Sequence, residues 1–371
     1  MGKPIKVLLF SLSENIGGIE TLLRNLNKQF DHSEFEFDFV TTYSSPVYKE
    51  EFLSSGSHIF KLPSQKRIIS YYFALKKIIK QNHYDVIHVN KNSCADITPF
   101  LVGHRLHVPV IIAHAHNTRS SVGRAADILH YFNRPRVDRL MTHAFASSQA
   151  AAEWMFGKKY CKTHFVPILK NGIQLDSLCF DEVKREEIRQ RLSLGGKFVL
   201  GHVGRFSPRK NHDFLLDIFK IIHEKNPKSV LMLVGTGPLM AQIQRKIHTL
   251  GLSDAVMFMG AQKNINEYYA AMDAFILPSL AEDLPVAAIE AQASGLPVFV
   301  SDTIDGELEI TETVKWLSLQ QPAEIWADMV LNTCDCFERK DQSEALIRAG
   351  YDIRQTAVRI AEVYKTAEKA D

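Results

Sequence analysis

The sequence has few cysteines and no long apolar run, and both absences limit the class of protein. Its five cysteines are odd in number and spread along 371 residues, which excludes a disulfide-stapled secreted domain and favours a reducing compartment. No apolar run approaches the roughly 18 residues that a membrane-spanning helix needs. The apolar stretch near the N-terminus is too short for a signal peptide and is typical of a first β-strand. We therefore expect a cytoplasmic protein that touches a membrane only from outside the bilayer.

Motifs that bind metals and dinucleotides are absent too. Cys334 and Cys336 have C-x-C spacing, but no second Cys or His pair with zinc-finger spacing accompanies them. No two aspartates lie two positions apart, so there is no D-x-D pair to hold a divalent metal. Gly235-Thr236-Gly237 is followed by Met240 where a G-x-G-x-x-G fingerprint needs its third glycine, which disfavours a dehydrogenase. We expect neither a metal nor a cofactor.

An excess of one charge is missing from the whole chain but not from its halves. The formal net charge is +2, from 44 Lys and Arg against 42 Asp and Glu. Residues 1–170 carry 22 basic and 13 acidic side chains, whereas residues 171–371 carry 22 and 29. A basic half predicts contact with an anionic surface, either nucleic acid or a membrane. Because its basic residues accompany no recognisable nucleic-acid-binding motif, we favour the membrane.

Two groups of basic residues could face that membrane. They are Lys66, Arg67, Lys76, Lys77 and Lys80, interleaved with Ile68, Tyr71, Tyr72, Leu75 and Ile79, and a second set of Arg119, Arg124, Arg134, Arg136 and Arg139. A basic amphipathic helix can lie on anionic lipid. In the alternative interpretation, Tyr71, Leu75 and Ile79 pack on the sheet and the lysines face water.

Hydrophobic periodicity predicts two α/β domains in tandem. Continuous apolar strands alternate with helical patterns, which indicates parallel sheets covered on both faces. The predicted strands are 6–10, 35–41, 86–89, 108–113 and 144–147 in the first half, and 198–203, 229–234, 256–258, 274–277 and 297–300 in the second. We expect two facing, doubly wound, Rossmann-like domains over 1–170 and 171–350, with the ligand cleft between them. A C-terminal helix within 351–371 is expected to pack back toward the first domain.

Three segments carry candidate binding chemistry. Gly17-Gly18 opens the first helix, where backbone N–H groups could meet an anion, although a plain tight turn is the alternative. The segment from Gly204 to Lys210 follows the first strand of the second domain, and its Arg and Lys suit a diphosphate unless the loop is simply solvated. Glu282 and Glu290 have E-x7-E spacing, with the second inside a helix. Carboxylates suit vicinal hydroxyls, so one could hold a ribose and the other a sugar ring.

In this order the segments resemble the retaining glycosyltransferases of family four, and in particular the branch that makes bacterial capsular and extracellular polysaccharides. The matching motifs are the GGxE turn at 17–20, the strand 84–88, the NGI linker at 171–173, the GRxxxxKN loop at 204–211, the vGxGP motif at 234–238 and the E-x7-E segment at 282–297. The resemblance covers nearly the whole chain. It implies the two-domain GT-B fold, with the nucleotide sugar held mainly by the second domain.

The resemblance also implies a reaction. The enzyme would be a retaining, metal-independent hexosyltransferase, located peripherally at the inner face of the plasma membrane. It would move a hexose or N-acetylhexosamine from a nucleotide sugar, preferably UDP-linked, to a hydroxyl of a lipid-linked saccharide in bacterial surface polysaccharide synthesis. A non-catalytic partner subunit of such a transferase and a sugar-nucleotide 2-epimerase remain alternatives.

Individual residues receive roles from the resemblance. Arg205 and Lys210 would bind the diphosphate, Glu290 the ribose hydroxyls and Glu282 the donor sugar. The other donor-binding residues would be Gly17 and Gly18 beside the donor phosphate, Gly204 before the arginine, Ile265 in the loop 260–266, whose backbone would meet the base, and Leu284.

The family also places a histidine after a first-domain strand, near the reacting centre. His114 and His116 compete for this role, because residues two apart on a strand face the same way and spacing cannot choose. We choose His116, since the pair His116-Asn117 resembles the polysaccharide branch more closely. One departure from the family is Asp283, which stands where glycine is usual and should repel a diphosphate unless it points away or meets Arg209. Asp283 is the feature that favours a non-catalytic partner.

Overall fold

The computed structural model describes residues 3–117, 123–282 and 284–369. The chain forms two compact units, one of Met1–Ile173 with Gly350–Asp371 and one of Gln174–Ala349. The sequence placed the domain boundary at 170/171, three residues before this division.

The first unit is an α/β layer structure around a six-stranded parallel sheet. Its strands are β1 Ile5–Leu9, β2 Phe35–Thr41, β3 Ile59–Lys61, β4 Val86–Lys91, β5 Val110–Ala115 and β6 His143–Ala146, and its helices before the division are α1 Gly18–Gln29, α2 Lys49–Ser54, α3 Ile68–Asn82, α4 Thr98–Arg105, α5 Arg124–Leu140, α6 Gln149–Phe156 and α7 Lys158–Thr163.

The second unit repeats this architecture. Its strands are β7 Phe198–Val203, β8 Ser229–Val234, β9 Val256–Gly260, β10 Ala274–Leu277, β11 Val298–Ser301 and β12 Val314–Leu317, and its helices are α8 Leu175–Leu178, α9 Glu182–Arg191, α10 His212–Lys225, α11 Met240–Thr249, α12 Ile265–Ala271, α13 Val286–Ala293, α14 Ala323–Asp335 and α15 Ser343–Arg348. The chain then ends in α16, Ile353–Tyr364, followed by a 3-10 turn at Lys365–Lys369.

Both sheets have the same strand order. The first runs β3-β2-β1-β4-β5-β6 and the second β12-β11-β10-β7-β8-β9, and the described strand pairs are parallel. Numbered from the first strand of each sheet, both orders are 3-2-1-4-5-6, the doubly wound arrangement of Rossmann-like domains. The predicted fold class is confirmed. Each sheet therefore has a switch point where the chain reverses its direction of winding, between β1 and β4 in one unit and between β7 and β10 in the other.

The period-2 alternation of apolar side chains fills both faces of the first sheet. Leu8, Ile87 and Ile111 pack in one apolar cluster with residues of α3, α4 and α6. Their neighbours along the strands, Val86 and Val110, lie on the other face with residues of α1, α2 and α16. The sheet is buried on both sides, which explains why its strands are continuous apolar runs.

Sequence periodicity missed β3 and β12. Both are edge strands, of three and four residues, and the exposed Lys61 in β3 and the partly buried Lys315 in β12 interrupt the continuous apolar run that a central strand has. The ten predicted strands correspond to the ten remaining strands, with ends that differ by up to two residues.

Helix α16 completes the core of the first unit. Its buried Ile353, Ile360 and Tyr364 belong to the cluster that contains α1 and one face of the sheet. The Tyr364 ring lies 5.8 Å from that of Phe30 in a stacked arrangement. Before the helix begins, the backbone of Ile173 exchanges hydrogen bonds of 2.8 and 3.2 Å with residues 351 and 353. These contacts place the end of the chain in the same unit as its beginning.

We predict that Ile360→Ala destabilises the first unit by about 2 to 5 kcal/mol, because it removes three carbons from a site with no solvent exposure. The matched control is Val358→Ala on the same helix, where the side chain is 58% exposed and a change within about 0.5 kcal/mol is expected. Urea unfolding monitored by hydrogen exchange in β1 and β2 measures both. Equal effects of the two variants would contradict the placement of α16.

Candidate functional site

The switch point of the second unit brings two predicted loops together. One follows β7 and contains Gly204, Arg205 and Lys210; the other follows β10 and contains Glu282. The Leu280 amide donates to the Arg209 carbonyl over 2.8 Å, so the two loops are joined by a backbone hydrogen bond. Ligands of doubly wound sheets bind outside the carboxyl ends of the strands at this point.

Lys210 and Glu282 form an ion pair at this edge. The distance from Lys210 Nζ to Glu282 Oε1 is 2.9 Å, and the two side chains are only 15% and 12% exposed. Arg209 lies on the other side of the carboxylate, with Nη2 3.8 Å from Oε2, and its Nε donates to the Ala281 carbonyl over 3.0 Å. Arg205 is exposed. Lys210 and Glu282, the residues expected to bind the diphosphate and the donor sugar, are therefore neighbours. An anion that meets Lys210 must compete with Glu282. Asp283 lies outside the described residues.

The glycines after β8 allow the segment that follows β8 to pack closely against the loop that follows β7. A Cβ on Gly235 would lie 2.0 Å from the Gly204 carbonyl oxygen, and one on Gly237 would lie 2.4 Å from that of Phe206. The Gly204 and Phe206 amides donate to the carbonyls of Val234 and Thr236 over 3.0 and 2.9 Å. Backbone therefore packs directly on backbone, which only glycine permits. The G-x-G of this motif holds the Gly204 loop in place.

Two buried histidines lie beneath the Gly204 loop, and sequence reasoning missed them. His202 Nδ1 lies 2.9 Å from the Ile276 carbonyl, which can only accept, so Nδ1 carries the proton. Its Nε2 and both ring nitrogens of His212 have no hydrogen-bond partner among the described residues. Burial, with the nearby charge of Lys210, holds the pKa of His202 well below its usual value and that of His212 at about 4. Little in the sequence indicated these two histidines, because His202 lies within an apolar strand and His212 simply follows Asn211.

Glu290 is the fifth residue of α13 and lies against Tyr269. The Tyr269 hydroxyl lies 3.0 Å from Glu290 Oε2 and also 3.0 Å from the Ala287 carbonyl. Burial raises the pKa of Glu290 to about 7 although this hydrogen bond lowers it. The carboxyl group therefore changes charge near neutral pH. Tyr269 carried no sequence signal, because an aromatic in a short helix is most often a core residue.

Arg339 supports the helices on which Tyr269 and Glu290 lie. Its guanidinium donates to the carbonyls of Tyr269 at 2.9 Å, Ala270 and Met272 at 3.1 Å, and Ser294 at 2.7 Å. Arg339 thus binds four carbonyls at the ends of α12 and α13, and Arg185 shares two of them, those of Ala270 and Met272. Ile265 is the first residue of α12, not part of a loop as expected, and Leu284 lies before α13; both are partly buried.

In the first unit, Gly17 and Gly18 begin α1, as expected, but a side chain of the chain itself occupies the turn. Glu20 Oε1 accepts from the Ser13 hydroxyl over 2.6 Å. Its Oε2 lies 2.7 Å from where a Gly17 Cβ would be, so a side chain at position 17 would displace the Glu20 carboxylate. Burial raises the pKa of the Glu20 carboxyl. The Glu20 carboxylate also accepts from its own backbone amide, so an anion at this helix N-terminus would compete with Glu20.

A cluster of histidines lies at the carboxyl end of β4 and β5, near the switch point of the first sheet. His88 Nε2 is 3.1 Å from His114 Nδ1, and the rings of His114 and His116 are 4.1 Å apart. His116 Nε2 is 2.8 Å from Asn90 Oδ1, and His88 Nδ1 is 2.7 Å from the Tyr364 hydroxyl. The structure brings both sequence-predicted histidines together and adds three residues that the sequence did not reveal. The sequence did offer one indication of this cluster, because His88 belongs to the strand 84–88, which matches a motif of the family.

The described residues hold no group of three or more His, Cys, Asp or Glu side chains placed to bind a metal ion. Cys334 and Cys336 carry free thiols. No described helix combines the length and hydropathy needed to cross a membrane.

Helices α3 and α5 expose apolar side chains at and near their N-termini. The exposed residues are Ile68, Ile69 and Phe73 of α3 and Ile128, Leu129, Tyr131 and Phe132 of α5, between 50% and 75% exposed. In the same helix, Tyr71, Leu75 and Ile79 are buried, so the alternative interpretation holds for those three. Arg136 lies 4.0 Å from the centre of the Phe132 ring, which mixes positive charge with the apolar patch. Arg119 lies outside the described residues. We call the seven exposed side chains the α3/α5 surface.

Comparison with known proteins gives matches over almost the whole chain. Residues 16–177 match the family model described as Glycosyltransferase Family 4, and residues 184–324 match that of Glycosyl transferases group 1. A putative glycosyltransferase of Bacillus subtilis, EpsF, is 31% identical over 375 residues, which are 96% of this chain and 95% of that protein. The UDP-Gal:alpha-D-GlcNAc-diphosphoundecaprenol alpha-1,3-galactosyltransferase of Escherichia coli is 24% identical and covers 80% of this chain and 79% of its own.

Solved structures share the fold at lower identity. The crystal structure of HepE from Anabaena in complex with UDP has a TM-score of 0.78 at 19% identity and covers 98% of this chain and 100% of that chain. Sucrose-phosphate synthase from Thermosynechococcus elongatus has a TM-score of 0.73 at 18% identity, over 99% and 100%. Both likenesses show the fold of the chain, with its two parallel-sheet units.

The shifted pKa of Glu290 predicts a pH-dependent stability. In the unfolded chain this carboxyl titrates near 4.5, and in the folded chain near 7. Between these values the folded state binds more protons, so stability falls as pH rises from about 4.5 to 7 and is then level with respect to this group. We expect the melting temperature of wild type, minus that of Glu290→Gln, to decrease over this window. A difference that is constant with pH would contradict burial of an ionisable Glu290.

Proposed function

Because the chain belongs to the glycosyltransferases of group 1 and family 4, with the GT-B fold, we propose that it transfers a hexose or N-acetylhexosamine from a UDP-sugar to a lipid-linked saccharide, with retention of configuration. The single observation that carries the donor half of this proposal is the group of Lys210, Glu282 and Glu290 around the switch point of the second unit.

The donor assignment follows from the chemistry of these groups. A diphosphate is matched by the exposed guanidinium of Arg205 and by Lys210, which would exchange part of its contact with Glu282 for a phosphate oxygen. The released carboxylate of Glu282 then accepts from hydroxyls of the donor sugar. Glu290 accepts from the ribose, the backbone near Ile265 contacts the base, and Leu284 is a further residue of the donor site. UDP is favoured as the nucleotide because it occurs in the names of a relative and of a structural neighbour.

The reaction needs stabilisation of the departing diphosphate. The bond from the sugar anomeric carbon to the phosphate oxygen breaks, and a bond to the acceptor oxygen forms on the same face. The acceptor hydroxyl gives its proton to the departing phosphate. Arg205 and Lys210 supply positive charge where negative charge develops, so no metal is required. His116 and Gly18 are the residues that the first unit contributes to the reaction.

We further propose that the α3/α5 surface rests on anionic lipid at the inner face of the plasma membrane. In a doubly wound sheet, helices run antiparallel to the strands, so the N-termini of α3 and α5 lie on the side of the carboxyl ends, where ligands bind. The exposed apolar side chains would enter the interface, and Arg124, Arg134 and Arg136 would meet lipid phosphates. A lipid-linked acceptor of the kind named for the Escherichia coli relative would then reach the first unit from the membrane. The relative EpsF supports a place in extracellular polysaccharide synthesis.

Donor screening tests the first part of the proposal. We expect one or a few nucleotide sugars from a panel, and UDP itself, to raise the melting temperature of the protein. Arg205→Ala and Lys210→Ala should each weaken binding about 10-fold or more, since each removes a charged contact to the diphosphate. The control is Lys220→Ala on α10, a surface lysine paired with Glu224. UDP affinity should also increase from pH 6 to 8, because ionised Glu290 is the better acceptor for ribose hydroxyls.

Two results would overturn this assignment. Wild-type transfer by Glu282→Ala would remove Glu282 from the sugar site. The absence of stabilisation by any nucleotide sugar would favour the non-catalytic partner subunit instead. Epimerisation of a donor without an acceptor would favour the 2-epimerase.

Vesicle co-sedimentation tests the membrane contact. Wild type should bind vesicles that contain phosphatidylglycerol more strongly than pure phosphatidylcholine vesicles, and binding should weaken with added salt. The double variant Ile128→Ser, Phe132→Ser should lower binding several-fold, because it removes two exposed apolar side chains of the α3/α5 surface. Val358→Ser, equally exposed but on α16, is the control. Binding that ignores salt and lipid charge would contradict the proposal.

A further inference from the structure

Asn90 fixes the position of the proton on His116. Asn90 Nδ2 lies 3.3 Å from the Phe10 carbonyl, which can only accept, so the amide nitrogen must face it. The amide oxygen then faces His116, 2.8 Å from Nε2. Because this oxygen also only accepts, His116 carries its proton on Nε2. Its Nδ1 is left as a lone pair, and this atom has no hydrogen-bond partner among the described residues.

A second chain of hydrogen bonds fixes the proton on His114. Among the described residues, the Tyr364 hydroxyl has one hydrogen-bond partner, His88 Nδ1, at 2.7 Å. The hydroxyl donates there, because its proton would otherwise be buried without an acceptor. His88 must then carry its proton on Nε2, which donates to His114 Nδ1 over 3.1 Å. The proton of His114 is consequently on Nε2 as well, and that atom is buried without a partner among the described residues. The two chains run separately: one starts at the backbone of residue 10, the other at α16.

The burial of the cluster makes these proton positions decisive. Desolvation lowers the pKa of His116 to about 4 and that of His88 to about 3, and it lowers the pKa of His114 as well. His116 lowers the pKa of both other rings, and His88 also lowers that of His114. The side chain of Asn171 lies close enough to raise the pKa of His116, although its Oδ1 makes no hydrogen bond of normal geometry among the described residues. All three rings are therefore neutral at pH 7. A neutral imidazole can offer a lone pair or an N–H at a given nitrogen, but not both.

We propose that Asn90 is a positioning residue for the transfer reaction: it holds His116 as the Nε2–H tautomer, so that Nδ1 accepts a hydrogen bond from a substrate hydroxyl. Tyr364 and His88 fix the tautomer of His114 in the same way, so that His114 presents an N–H donor beside His116. The proposal rests on the proposed function, because it takes His116 as the residue of the first unit that meets the substrate.

The opposite tautomer would reverse the recognition. With its proton on Nδ1, His116 would present a donor and lose its hydrogen bond to Asn90 Oδ1, which would then be a buried acceptor without a partner. A hydroxyl group could still meet that donor, but only through its oxygen lone pair and with its own proton directed elsewhere. Asn90 thus selects which side of a hydroxyl group faces His116.

The tautomers can be measured directly on the full chain. Long-range nitrogen-proton spectra of protein labelled in its 15 histidines distinguish Nε2–H from Nδ1–H rings, and substitution of each histidine in turn assigns the signals. We expect His88, His114 and His116 all as Nε2–H. Asn90→Leu should convert His116 to a mixture or to Nδ1–H, whereas Asn90→Asp, which still offers an oxygen, should keep Nε2 protonated. A wild-type His116 with its proton on Nδ1, or an Asn90→Leu spectrum identical to wild type, overturns the proposal.

Tyr364→Phe is the internal control for the same spectra. It removes the first donor of the second chain, so the signals of His88 and His114 should change while His116 remains Nε2–H. Asn90→Leu should do the reverse. If either variant alters all three rings alike, the change reflects general loss of structure. That result would disprove that the two chains of hydrogen bonds are separate.

Transfer kinetics complete the test. With the donor identified by screening, Asn90→Leu should lower kcat/KM at least 10-fold while UDP affinity remains at the wild-type value. The control is Asn82→Leu, which changes an asparagine on α3 that bonds to a helix carbonyl and should leave kcat/KM at the wild-type value. Unchanged transfer by an Asn90→Leu protein with an altered His116 tautomer overturns this proposal and leaves the glycosyltransferase intact. Failure of wild type to bind UDP or any nucleotide sugar overturns the proposed function, and the tautomer result then stands without a substrate role.

Discussion

Parallel pairing of the strands is the constraint on which each candidate site depends. In each unit, neighbouring strands end on the same edge of the sheet, and the reversal of winding between β1 and β4, or between β7 and β10, leaves the loops there uncovered by crossover helices. Lys210 and Glu282 are 72 positions apart in the sequence, yet the carboxyl ends of β7 and β10 bring them to 2.9 Å. His88 and His114 meet across β4 and β5 for the same reason.

Buried polar groups at these edges show how the fold controls charge. Lys210 is matched by a carboxylate, whereas the histidines below it and those of the first unit are kept neutral by burial. Glu290 is the intermediate case, since burial moves its pKa close to neutral pH. Neutral imidazoles cost less to bury than charged groups and keep directional hydrogen bonds. The site thus combines one compensated charge pair with groups whose protonation is fixed by their surroundings.

Sequence periodicity predicted the fold class and ten of the twelve strands that the described residues form, because central strands of a parallel sheet are continuous apolar runs. It missed β3 and β12, whose edge positions leave them partly buried and short. Motif spacing predicted Glu282 before a helix and Glu290 within it, as the structure has them. It could not predict Asn90, Tyr269 or Tyr364, since their partners lie on other elements and only the three-dimensional arrangement brings them together.

The position of α16 determines when, during synthesis, the first unit can complete its core. A ribosome completes residues 1–173 long before it adds Ile353, Ile360 and Tyr364, although all three belong to the core of the first unit. The second unit is one continuous stretch, Gln174–Ala349, and can close its core as soon as it has emerged. During synthesis the first unit therefore carries an uncovered apolar face on α1 and one side of its sheet. Its histidine cluster lacks the Tyr364 hydroxyl until residue 364 leaves the exit tunnel.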